Sequence, residues 1–248
     1  MFRFKISSLV VLACVSWALP PILGNAQTQH AGKPQEQLSV AALISKAKLL
    51  NEKNNYAIAV KYLNEALKRS PKSVEAYLLR GEALDRMGLP MKALQDFNKY
   101  IALRPNDFEG YIKRGDTNNF NHDPKAAIDD YDKALHFVPD SRSALLGRGM
   151  AYASLERYDL AIQDYESLLN KYPWDHEAWA NLGIVFAQTG KKDQALQSFT
   201  KALKVEQNSE WRAKINRMID ELSVSSKSEK PKRKGPTRFP MNRDSRLW

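Results

Sequence analysis

The chain has 248 residues, 43% apolar and 27% charged, which excludes a chain too polar to bury a core and suits one or two ordinary domains or a single repeat array. The formal net charge of +10 is uneven: residues 1–26 carry Arg3 and Lys5 with no acid, residues 223–248 carry eight bases against two acids, and the 196 residues between hold only +2. The basic character therefore belongs mainly to the C-terminal end. A single cysteine, Cys14, excludes an intrachain disulfide, and without the N-terminus the chain has no thiol, which is compatible with an oxidising compartment.

Residues 1–5 are basic, Ile6 to Leu23 are almost wholly apolar, and Gly24-Asn25-Ala26 places small residues before Gln27. That layout predicts a secretory signal peptide over 1–26, cut near Ala26, and a periplasmic or secreted location. Two alternatives keep the N-terminus in a membrane. One is an uncleaved anchor, against which Pro20-Pro21 interrupts a short apolar run. The other is lipidation at Cys14, where Val11-Leu12-Ala13-Cys14 loosely matches a lipobox. Residues 27–39 read as a polar linker.

From residue 40 a period of 34 residues governs the chain. Gly81, Gly115, Gly149 and Gly183 fall on it, as do Pro71, Pro105, Pro139 and Pro173, and Ala59, Ala93, Ala127, Ala161 and Ala195. Five units follow, 40–73, 74–107, 108–141, 142–175 and 176–209, each reading as two helices. Ser39, Ser73, Asp107, Ser141, Asp175 and Ser209 are placed to cap the helices after them. Asn54, Gly88, His122 and Gly190 stand at the inner turn, where a left-handed residue ends a helix, and Asp123-Pro124 opens a second helix. Leu63, Phe97, Tyr131, Tyr165 and Phe199 supply the bulk between hairpins, because a hairpin buries that face only by stacking on its neighbours. Residues 210–222 add one capping helix, with Trp211, Ile215, Met218, Ile219 and Leu222 on a shared face.

This pattern resembles the tetratricopeptide repeat: large at position 4, small at 8, aromatic at 11 and 24, Ala at 20 and 27, Pro at 32. Unit five carries Trp179, Gly183, Phe186, Ala195, Phe199 and Ala202 but ends in Gln207, and unit one has Ala47 in place of Gly and Leu50 in place of the aromatic. Asn118, Tyr100 and Leu168 are further departures, and the resemblance covers 170 residues. It implies an all-α, right-handed superhelical solenoid whose first helices line a concave groove for a protein or peptide. Carried over, the groove positions are Lys48, Asn51 and Glu52; Glu75, Glu82, Asp85 and Arg86; Glu109, Lys113, Asp116, Asn119 and Phe120; Ser143, Met150 and Ser154; and Glu177, Asn181 and Gln188. The Lys and Asn with which some members hold a partner's terminal carboxylate are replaced by Ile44 and Lys48, and by Leu78 and Glu82. Glu75, Glu109 and Glu177 complement helix dipoles, leaving Glu82, Asp85 and Asp116 as an acidic patch. Arg80, Arg114 and Arg148 are expected to pack their stems and expose their heads, and Asp129-Asp130 to face solvent.

Residues 223–248 have no helical or strand period and read as disordered. Their bases Lys230, Lys232, Arg233, Lys234 and Arg238 suit an anionic lipid or envelope polymer, which makes a peripheral envelope protein the alternative to a groove-binding scaffold. The basic tail could also lie in the chain's own groove. Export argues against nucleic acid. No metal or cofactor is expected: His30, His122, His136 and His176 form no ligand spacing, and no phosphate loop or nucleophile elbow occurs. The chain therefore reads as a non-catalytic scaffold.

Overall fold

The computed structural model describes residues 38–224; the expected signal peptide, all but the end of the linker, and the tail beyond Val224 lie outside the described residues. These residues form ten helices in five hairpins, and an eleventh helix follows. Hairpin 1 is α1 (Val40–Glu52) with α2 (Tyr56–Arg69), and hairpin 2 is α3 (Val74–Arg86) with α4 (Pro90–Leu103). Hairpin 3 is α5 (Phe108–Phe120) with α6 (Pro124–Phe137), and hairpin 4 is α7 (Arg142–Ser154) with α8 (Tyr158–Lys171). Hairpin 5 is α9 (His176–Gln188) with α10 (Lys192–Val205), and α11 (Ser209–Val224) packs on α10. Each helix packs on the next, and the first helices also touch in series, α1 on α3, α3 on α5, α5 on α7 and α7 on α9.

The helix ends follow from local chemistry. Ser39, Asp107, Ser141 and Asp175 accept backbone N–H bonds through their side chains, whereas Ser73 makes no such bond. Before α11 the cap is Asn208, whose Oδ1 accepts from Glu210 N at 2.9 Å and Trp211 N at 3.2 Å; Ser209, the expected cap, is already helical. All five inner turns close with the same six-residue backbone bond, for example Asn55 N to Leu50 O at 2.8 Å and Arg157 N to Tyr152 O at 2.9 Å. The left-handed residue is Asn54, Gly88, His122 and Gly190 as expected, and in hairpin 4 it is Glu156 at φ 59°. Sequence reading missed Glu156 because a glutamate gives no signal for that conformation.

The small residue of each first helix receives the large residue of its second. A Cβ built on Gly81 would stand 2.6 Å from the Phe97 ring, on Gly149 2.6 Å from Tyr165, and on Gly183 2.7 Å from Phe199. Hairpin 1 solves the same problem with Ala47 against the smaller Leu63, both fully buried. Tyr100, large where alanine is usual, is matched by Gly110 in the next hairpin, whose Cβ would meet the Tyr100 ring at 2.6 Å. One buried apolar cluster runs through hairpins 3 to 5 and includes Ile215 of α11, while hairpins 1 and 2 hold two smaller clusters.

Polar clamps join the hairpins as well. Arg80 donates to Asp96 of its own hairpin at 2.6 and 2.8 Å, and to Asn64 of the preceding one at 2.7 Å. Arg114 repeats this with Asp130 and with Asn98 at 2.6 Å, and Arg148 with Asp164 and with Asp132 at 2.6 Å. The heads of these arginines are therefore not exposed as expected but fixed between hairpins. Asp130 does not face solvent either: it is 2% exposed, beneath Arg114. Its hydrogen bond to Asp130 raises the Arg114 pKa above the usual guanidinium value, against the opposing effect of burial. Asn118, which stands where an aromatic is usual, donates to Asp130 at 3.1 Å.

Candidate functional site

The first helices of hairpins 1 to 3 enclose a cleft of about 220 Å³. Of the expected groove residues, Lys48, Asn51, Glu52, Glu82, Asp85, Arg86 and Lys113 line it together. Helical periodicity explains the grouping, since equivalent positions of parallel neighbouring helices project to one side. The cleft is braced across hairpins. Asn51 Nδ2 donates to Leu79 O at 3.1 Å, and Lys113 pairs with Glu82 at 2.5 Å. Tyr56 and Leu79, both half-buried, add an apolar wall that sequence reading did not assign to the groove, and Phe97 lies buried behind it. Phe97 was legible only as core, and Tyr56 belongs to a second helix.

The acidic patch expected here is not an open one. Glu82 is ion-paired with Lys113, Asp85 is 2% exposed, and Asp116 accepts from Tyr131 Oη at 2.8 Å. Lys48, Arg86 and Lys113 balance Glu52, Glu82 and Asp85 around the cleft. Nearby, burial raises the Glu109 carboxyl above the usual carboxylate range; Lys113 opposes that, and Glu82 and Asp107 reinforce it. Glu177 does more than complement a helix dipole: it accepts from Arg142 at 2.8 Å.

The remaining groove candidates do not line this cleft. Asn119 and Phe120 end α5, half-buried. Met150 packs against the core of hairpins 3 to 5. Asn181 donates to Glu177 O in its own helix at 2.9 Å, and Gln188 ends α9, half-buried. The tail bases Lys230, Lys232, Arg233, Lys234 and Arg238 lie outside the described residues. Among the described residues no group of three His, Cys, Asp or Glu side chains is placed to hold a metal ion, and no helix is long and apolar enough to cross a membrane.

Five stacked helical hairpins with a braced cleft on their first helices define an all-α repeat solenoid. Tetratricopeptide repeat models match residues 44–108, 120–175 and 176–209, together more than half of the chain. The chain belongs to the tetratricopeptide repeat family. A comparison with curated proteins gave no match. Among solved structures the chain is similar to MamA, with 27% identity, TM-score 0.59, 68% of this chain and 96% of that one covered. It is similar to PilW, described as a type IV pilus biogenesis factor, with 21% identity, TM-score 0.68, and coverage of 76% and 87%. It is also similar to YrrB, described as having an unusual peptide-binding site, with 19% identity, TM-score 0.58, and coverage of 76% and 92%.

Proposed function

We propose that this protein is an extracytoplasmic interaction scaffold whose cleft across hairpins 1 to 3 holds an extended segment of a partner protein. The observation that carries this is the cleft itself: three consecutive first helices contribute charges of both signs beside an apolar wall of Tyr56 and Leu79. Such a site suits a peptide, whose apolar side chain takes the wall while its backbone and charged groups meet the rim. The peptide-binding site attributed to YrrB is a precedent on the same fold. The N-terminal layout of residues 1–26 supports export, and with it a partner outside the cytoplasm.

Two experiments test this reading. Lys48→Glu with Arg86→Glu should abolish capture of the partner while the helical melting profile stays unchanged; retained capture would refute the cleft as the docking site. The intact mass of the endogenous protein in each cell fraction tests export. A mass for residues 27–248 in an exported fraction is expected, and a full-length or lipidated mass in a membrane fraction would instead tether the array.

A further inference from the structure

The arginine clamps stop one hairpin short of the end of the array. In hairpins 2, 3 and 4 each clamp has an arginine on the first helix, a buried aspartate on the second, and an Asn or Asp on the preceding second helix. Each arginine also lies near an aromatic face: Arg80 is 5.8 Å from the Tyr77 ring centroid, Arg114 5.9 Å from Tyr111, and Arg148 5.8 Å from Tyr152. In hairpin 5 the period of 34 puts Leu182 at the arginine position and Ser198 at the aspartate position. The third position, Glu166, keeps its acid, and the aromatics remain as Trp179 and Phe186. These residues line one cleft of about 410 Å³ between hairpins 4 and 5. Trp179, Leu182 and Phe186 project from the opposite side of their first helix to the groove positions, so this cleft is separate from the groove.

We propose that this cleft takes an arginine side chain from a partner protein, which completes in trans the clamp that the chain builds three times in cis. Glu166 is exposed and carries the acceptor that Asp132 offers to Arg148 in the hairpin before. Unlike Asp132, it makes no hydrogen bond or ion pair among the described residues. Ser198 is 3% exposed and donates its hydroxyl to Gln194 O at 2.8 Å, which leaves its oxygen as an acceptor toward the cleft. Trp179 is held edge-on by its Nε1–H bond to Pro173 O at 2.8 Å, so its face stays presented. That face already attracts a cation: the Lys201 ammonium lies 4.1 Å from its centroid. Lys201 is exposed, and it is the group the incoming guanidinium displaces. A guanidinium fits better than an ammonium because it stacks on an indole and donates in its own plane at once.

The test titrates the full chain with a blocked pentapeptide of central arginine between alanines, and with its lysine and citrulline counterparts. The Trp179 indole N–H resonance, assigned by its loss in Trp179→Phe, reports binding. The arginine peptide should shift it saturably, with the uncharged citrulline peptide weaker by about tenfold. Glu166→Gln should weaken the arginine peptide by about fivefold, and Lys201→Met should tighten it. Leu182→Arg with Ser198→Asp should close the cleft and abolish the shift; because those sites are buried, the surface variant Glu166→Gln keeps the test independent of folding. Equal binding of the arginine and citrulline peptides, no effect of Glu166→Gln, or shifts confined to the groove residues around Lys48 would overturn the proposal. So would a change at Trp179 on replacing Arg233, Arg238, Arg243 and Arg246 by Gln in the full chain, because the arginine would then come from the chain itself.

Discussion

Removing the middle clamp gives a sharp test of how the hairpins are held. Arg114 donates to Asp130 and to Asn98, and Asp130 is 2% exposed. Arg114→Met would leave that carboxylate buried with Asn118 as its remaining side-chain donor, at 3.1 Å. Breaking a buried ion pair costs about 3–5 kcal/mol. The Arg114 side chain is 22% exposed and Asn118 persists, so water and the amide recover part of it, leaving about 2–3 kcal/mol. For an array of this size that lowers the melting temperature by about 5–10 °C. Arg114→Lys should fall between, because one ammonium cannot reproduce a fork that spans two hairpins. Arg114→Met with Asp130→Leu should return to within about 1 kcal/mol of the natural chain, because no uncompensated charge remains. Thermal and urea melts followed by circular dichroism measure all three. A loss under about 0.5 kcal/mol for Arg114→Met, or a double variant no more stable than the single one, would refute the reasoning.

Further outcomes follow from the same packing. Gly183→Ala puts a methyl 2.7 Å from Phe199 and should cost about 1–3 kcal/mol, most of it recovered by Phe199→Leu, which recreates the Ala47–Leu63 pair of hairpin 1. Glu156→Gly should stabilise the chain by about 0.5–1 kcal/mol, since Glu156 is held at φ 59°; a lower denaturation midpoint would contradict the assignment. The Glu109 carboxyl is raised in the folded chain, so its contribution is most favourable below its ordinary pKa and is lost as pH rises through the folded value. Glu109→Gln should therefore be more stabilising at pH 7 than at pH 4, and paired urea melts at the two pH values check the sign.

The fold was readable because its governing residues sit at fixed spacing with different chemistry. Gly183 and Phe199, Ala59 and Ala195, and the caps Asp107 and Asp175 each carry a local reason for their place. The clamps were harder to read, although Asp96, Asp130 and Asp164 share the same period of 34 residues. An aspartate sixteen residues after an arginine has no local meaning until the hairpin closes and brings its two helices together. The same gap misread Asp130 as solvated and Glu82 as part of an open acidic patch, because Lys113 reaches Glu82 from the next hairpin. Groove positions in hairpins 1 to 3 converge because their first helices stack side by side. Met150 and Asn181 do not line that cleft: Met150 is half-buried against the core and Asn181 bonds to its own helix.

The most direct test of the account places a photo-crosslinking residue at Glu52, an exposed position on the cleft, and at Gln163, an exposed position in α8, in the protein within its own cells. One recurrent protein adduct is expected from Glu52, absent from Gln163 and lost with Arg86→Glu. No adduct from Glu52, or the same adducts from both positions, would contradict it.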